Sequence, residues 1–161
     1  MPQDPSRALL RHMVATLAYR AGKAVRSAPA EFASLQVTPS SRSPGQILAH
    51  MGDLFDWALT MAQGRTEWHD SSPLPWDQEV ARFFTALTTF DAFLAGDAPI
   101  AAEVVERLVQ GPVADALTHT GQLTMLRRVA GQPVRGESYA KAKIVTGRTG
   151  LEQAAPRWEF D

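Results

Sequence analysis

The chain has 161 residues, 45% hydrophobic and 20% charged, a size and balance that suit one globular domain with a sizeable core. A formal net charge of -1 excludes the basic footprint expected of a protein that binds nucleic acid or an anionic membrane. With no cysteine, disulfides, thiol nucleophiles and thiolate ligands are excluded, so a metal must be held by His, Asp, Glu or water.

The start, Met1-Pro2-Gln3-Asp4-Pro5, carries no apolar signal region and no run approaches membrane-spanning length, so a cytoplasmic location is expected. Residues 6–27 read as a first helix with the stripe Leu10, Met13, Val14, Leu17, Ala18 and Ala21, placed after Pro5 and ended before Pro29. His12 falls on its solvated face. Glu31 to Ser43 is a connection rich in Ser, Thr and Pro.

Ser43-Pro44 is a helix start, with Ser as N-cap and Pro at the first helical position. The second helix, 44–63, stops at Gly64 and carries Ile47, Met51, Leu54, Phe55, Ala58 and Met61 inward. His50 lies within that stripe, Trp57 follows two turns later on the same side, Asp53 sits at the edge and Asp56 points to solvent. The segment Thr66 to Pro75 reads as a loop in which His69 is exposed.

The third helix, 76–95, has the most aromatic face, with Val80, Phe83, Phe84, Leu87, Phe90 and Leu94. Asp91 edges onto that face. Ile100 to Val109 forms a short further helix, broken at Gly111-Pro112, and the fourth long helix spans 112–130. The tail after Gly131 reads as mostly irregular, with a short helix near Ser138 to Ile144, and packs over the helices through Tyr139, Ile144, Val145, Trp158 and Phe160. The expected fold is therefore all-α, one helical-bundle domain over 1–161.

At about 100° per residue, the inner stripe of the fourth helix is Ala116, Leu123, Leu126, Val129 and Ala130. Asp115 and His119, four residues apart, fall inside that stripe, and Gln122 follows a turn later. Charged and imidazole groups on a core face are costly unless paired, hydrogen-bonded or bound to metal. Positions i and i+4 project side by side, so Asp115 and His119 can reach one ion, and His50 from a neighbouring helix completes a three-ligand set with open positions. Two imidazoles and a carboxylate suit Zn²⁺, Ni²⁺ or Fe²⁺ better than Mg²⁺ or Ca²⁺. Gln122, Asp53 and Trp57 are the residues expected around that ion or in a substrate pocket; each ligating ring should give its second nitrogen to an acceptor, and Gln122 instead bridges to a metal-bound water.

The competing reading makes Asp115 and His119 a structural ion pair and His50 a satisfied core imidazole. Glycine-rich phosphate loops, G-x-S-x-G and H-E-x-x-H are all absent from the sequence.

Three segments, Leu17-Ala-Tyr-Arg20, Arg42-Ser-Pro-Gly-Gln-Ile-Leu-Ala-His50 and His119-Thr-Gly-Gln122, resemble the DinB/YfiT-like superfamily of metalloenzymes across nearly the whole chain. The resemblance implies a four-helix bundle in which a histidine of the second helix and an H-x3-H pair of the last hold one divalent ion. Carried over, the ligands are His50, Asp115 and His119. Asp115 stands where most relatives have histidine; the family's thiol-dependent maleylpyruvate isomerases are similar in placing a carboxylate there. The resemblance further implies activation of water or a low-molecular-weight thiol, in thiol S-transferase, isomerase or hydrolase chemistry on a small-molecule substrate. It also implies a homodimer, to which the off-stripe Leu59 and Leu117 add. The alternative function is a non-catalytic bundle that binds metal or a small molecule, or a stress protein with a vestigial site.

Overall fold

A computed structural model describes residues 4–161, and they are all-α with a short β pair in the tail. Helix α1 spans Pro5–Val25; the Asp4 carboxylate accepts from Ser6 N at 3.0 Å and Pro5 occupies the first turn. Helix α2 spans Pro44–Ala62 and opens with a reciprocal capping box. Gln46 N donates to Ser43 Oγ at 3.3 Å, and Ser43 N donates to Gln46 Oε1 at 2.9 Å. Helix α3 spans Trp76–Ala95. The span of α3 and the capped start of α2 lie where the sequence places them, while α1 begins one residue earlier than expected, at Pro5, and ends two residues earlier, at Val25.

The fourth helical region differs from expectation. No break occurs at Gly111-Pro112: α4, Ala102–Leu108, runs through a π turn, Val109–Val113, into α5, Ala114–Val129. Inside a regular α-helix Pro112 would leave a carbonyl unpaired and press its ring on the preceding turn. The wider π turn gives that ring room, so the chain continues. Gly111 within it lies under Trp57, whose ring is 3.7 Å from where a Cβ would stand.

The long helices pack in a ring: α1 touches α3, α3 touches α2, α2 touches α5, and α5 touches α1. Their shared interior holds the predicted stripes, and Phe55 meets Phe90 and Phe83 there with ring centroids 5.7 and 6.3 Å apart. Truncating one such buried phenylalanine to alanine typically costs about 3–5 kcal/mol. Leu59 and Leu117, which the sequence leaves free for a partner, are partly buried against this same core.

Buried charges are paired between elements. Asp91 receives Arg11 Nε and Nη2 of α1, both at 2.9 Å, in a two-pronged bridge from α1 to α3. Arg127 of α5 donates through Nη1 to Ala24 O and Arg26 O, each at 3.0 Å, satisfying carbonyls left over at the end of α1. Burial lowers the pKa of that guanidinium below its ordinary value.

The tail packs on α1, in part through the expected anchor Tyr139, which meets Tyr19 edge to face at 6.1 Å and lies under the Arg20 guanidinium at 4.2 Å, and in part through Glu137. Tyr19 donates to Glu137 Oε1 at 2.6 Å and Lys23 Nζ lies 3.0 Å from Glu137 Oε2. Glu137 belongs to β1, Gly136–Glu137, which pairs antiparallel with β2, Glu159–Phe160. The helix expected near Ser138 to Ile144 is only a 3₁₀ turn, Tyr139–Lys141. Trp158 and Phe160 are exposed rather than buried anchors. Among the described residues no helix is long and apolar enough to cross a membrane.

Candidate metal centre

His50 on α2 and Asp115 and His119 on α5 converge, with one candidate ligand atom from each lying within 4.8 Å of the others. His50 Nε2 is 3.2 Å from Asp115 Oδ2, and His119 Nε2 is 3.3 Å from Asp115 Oδ1. The two imidazoles meet edge to face at 4.9 Å between ring centroids. Donors held at about 2.0–2.1 Å on a tetrahedral ion stand about 3.3–3.4 Å apart, so these spacings fit a coordination shell.

The local reason is helical. One turn of α5 puts Asp115 and His119 on the same side, and the ring packing brings α2 against α5. The π turn ends at Val113, two residues before Asp115, and sets the rotation at which α5 begins. Such turns often lie beside functional groups. Asp115 is less buried than the stripe implies: its side chain is 43% exposed, while that of His119 is 11% exposed. The carboxylate therefore sits at the mouth, with both rings behind it.

His119 Nδ1 lies 2.8 Å from Gln122 Oε1, a hydrogen bond in which the ring donates and the amide oxygen accepts. That contact gives Nδ1 the proton and leaves the Nε2 lone pair facing Asp115 Oδ1. A lone pair opposite a carboxylate oxygen calls for a cation, either a second ring proton or a metal ion. Gln122, expected to bridge to water, instead receives the ring. His50 Nδ1 has no hydrogen-bond partner among the described residues, so this orienting device serves one histidine and not both.

Two cavities flank the triad. One of about 570 Å³ is bounded by His119 and Gln122 together with Arg42, Ile47, Met125 and Val129. The other, about 370 Å³, has Asp115 and Trp57 in its wall. Val129, expected to face inward, is 54% exposed because α5 borders a cavity here instead of a packed helix.

Asp53 is placed differently from expectation. It is 2% exposed and is used by the loop and by α3, not by either cavity. Ser71 N and Ser71 Oγ donate to its two oxygens at 2.8 and 2.7 Å, and Arg82 Nη2 donates at 3.1 Å. His69, exposed as predicted, nevertheless bridges Asp53 at 3.3 Å and Asp56 at 3.0 Å through its two ring nitrogens. Asp53, Asp56 and His69 thus form a second cluster, already neutralised in part by Arg82.

That cluster ties down the segment carrying Trp68, a site residue the sequence reading misses. Trp68 stands edge-on to both His50 and Trp57, with centroids 5.6 Å away in each case. Trp68 itself is 44% exposed. Nothing in the sequence marks it, since a loop tryptophan has no periodicity to read.

No family model, curated protein or solved structure matches the chain. The reading of the site therefore stands on its geometry.

Proposed function

We propose that the chain is a divalent-metal-dependent enzyme of the DinB/YfiT-like kind, a four-helix bundle whose ion is held by His50, Asp115 and His119. Zn²⁺ or Ni²⁺ are the metals of choice and Fe²⁺ is compatible, given two imidazoles and one carboxylate. The observation that carries the reading is the His119 ring, fixed by Gln122 with its second nitrogen turned to Asp115. The packing of α1, α2, α3 and α5 in a ring supports the bundle assignment. A divalent ion in this position lowers the pKa of a water or small thiol beside it, which supplies a nucleophile near neutral pH.

The residues divide the remaining tasks. His50 and His119 offer neutral nitrogen donors, and Asp115 offers a negative oxygen at the open edge. Trp68 packs edge-on against His50, and Trp57 packs against Trp68 in turn. The cavity beside His119 gives a small-molecule substrate access. Thiol S-transfer, isomerisation and hydrolysis are the reactions this arrangement suits, and homodimerisation is part of the same proposal.

The alternative, a bundle without catalysis, draws on the direct contacts of Asp115 with both rings, which let the three groups satisfy one another. Turnover assays on the metal-loaded protein with low-molecular-weight thiols separate the two, and elemental analysis of protein purified without a histidine tag, beside His119→Ala, tests the ion itself. The enzyme reading expects stoichiometric metal in the native protein, loss of it in the variant, and unchanged helicity, followed by turnover with low-molecular-weight thiols. Equal metal content in the two samples would sink it.

A further inference from the structure

We propose that the cavity beside His119 binds small amphipathic monoanions, molecules with a single carboxylate or similar head on an apolar body. The proposal names a substrate class for the metal site and rests on that reading for its chemical meaning, but not for binding itself.

The cavity measures about 570 Å³, within the range of small-molecule sites. Its walls are mainly apolar, with Ile47 and Leu126 inside and Val37, Met125 and Val129 at the rim. Those three rim side chains are 51%, 58% and 54% exposed, among the most exposed large hydrophobics described. Three such residues from two separate elements around one opening form an apolar surface that a ligand can cover.

The polar groups around it all point to a negative partner. Arg42 borders the cavity and, among the described residues, makes no ion pair or hydrogen bond. By contrast, Arg11 and Arg82 both hold carboxylates. Gln122 spends its amide oxygen on His119, which leaves its amide nitrogen as a donor without a protein acceptor. Ser41 already gives its hydroxyl proton to Thr38 O at 2.9 Å. No carboxylate lines the cavity, so nothing within it competes for the guanidinium. One cation with an apolar wall selects one anionic head and an apolar body, not a dianion. Because Arg42 and His119 border the same space, a molecule held by Arg42 lies against the candidate metal centre.

Three ligands with matched chains test this: octanoate, 1-octanol and octylammonium, titrated into metal-free protein by calorimetry and by the methyl resonance of Met125, assigned through Met125→Leu. Octanoate is expected to bind saturably and move that resonance, 1-octanol to bind more weakly and octylammonium not at all. Arg42→Gln should weaken octanoate about tenfold, the order of one charge-assisted contact, and leave 1-octanol unchanged. Equal octanoate affinity in the variant, binding of 1-octanol as tight as octanoate, or an unmoved Met125 methyl overturns the proposal. Zinc titration of the same samples keeps the two ideas apart. Zinc binding without octanoate binding removes only this inference, and the reverse result removes only the metal reading.

Discussion

Gln122 Oε1 accepts a hydrogen bond from His119 Nδ1 at 2.8 Å, and that bond decides which nitrogen of the ring faces Asp115. An amide three residues along the helix thereby fixes a ligand it need not touch the metal to serve. Partners of this type generally change metal affinity by about 10–100-fold when removed.

Gln122→Leu should accordingly weaken zinc binding by about that factor, while Gln122→Glu, which keeps an acceptor at the same reach, should retain it. Calorimetric zinc titration of the two variants checks the point. Equal affinity in Gln122→Leu and native protein would show that the ring needs no orienting partner.

Arg82 is the hub of the second cluster. Its guanidinium donates to Glu79 at 2.7 Å, Asp53 at 3.1 Å and Ala49 O at 2.6 Å. The side chains of Glu79 and Asp53 are 0% and 3% exposed. Arg82→Met leaves both carboxylates in place without their cation, which should cost about 3–5 kcal/mol in urea unfolding. The lower end is favoured because Leu74 N and Ser71 still donate to them. A loss of under about 1 kcal/mol, the size of an exposed pair, would count against the hub.

Gly52 gives an independent check on the same packing. A Cβ there would stand 2.8 Å from the Arg82 guanidinium, which lies across the bare backbone of α2. In an open helical position glycine to alanine stabilises by about 0.5–1 kcal/mol. Gly52→Ala should instead destabilise, since Arg82 is pinned by its carboxylates and cannot swing aside freely. Thermal melting of the single variant reads the sign.

The chain has only two tyrosines, and the pKa of each is raised above its ordinary value of 10.0. Burial is the main cause for both; for Tyr19 the hydrogen bond to Glu137 adds to it. Near pH 10 the unfolded chain therefore loses phenolic protons that the native protein keeps, so stability is intact below that value and falls as pH rises beyond it. Near-ultraviolet titration should find little phenolate in native protein at that pH and a normal titration in urea. Tyr19→Phe should flatten part of the alkaline loss, at the cost of leaving Glu137 Oε1 without its donor while Lys23 still holds Oε2.

What the sequence determined by itself is whatever depends on neighbours within about one helical turn. Ser43 and Gln46 cap α2 through backbone groups three residues apart, and the apolar period alone marks the inward faces of α1, α2 and α3. Asp115 and His119 share a side because four residues make a turn, and His50 joins them because its stripe must face the same interior. Other features needed the folded chain. A π turn that accommodates the proline replaced the break expected at Gly111-Pro112. Asp53 left the pocket for Ser71, His69 and Arg82, and Trp68 arrived over His50, because a buried carboxylate takes whichever donors the fold brings to it. Those partners come from residues 16, 18 and 29 positions away, separations at which periodicity and capping carry no information.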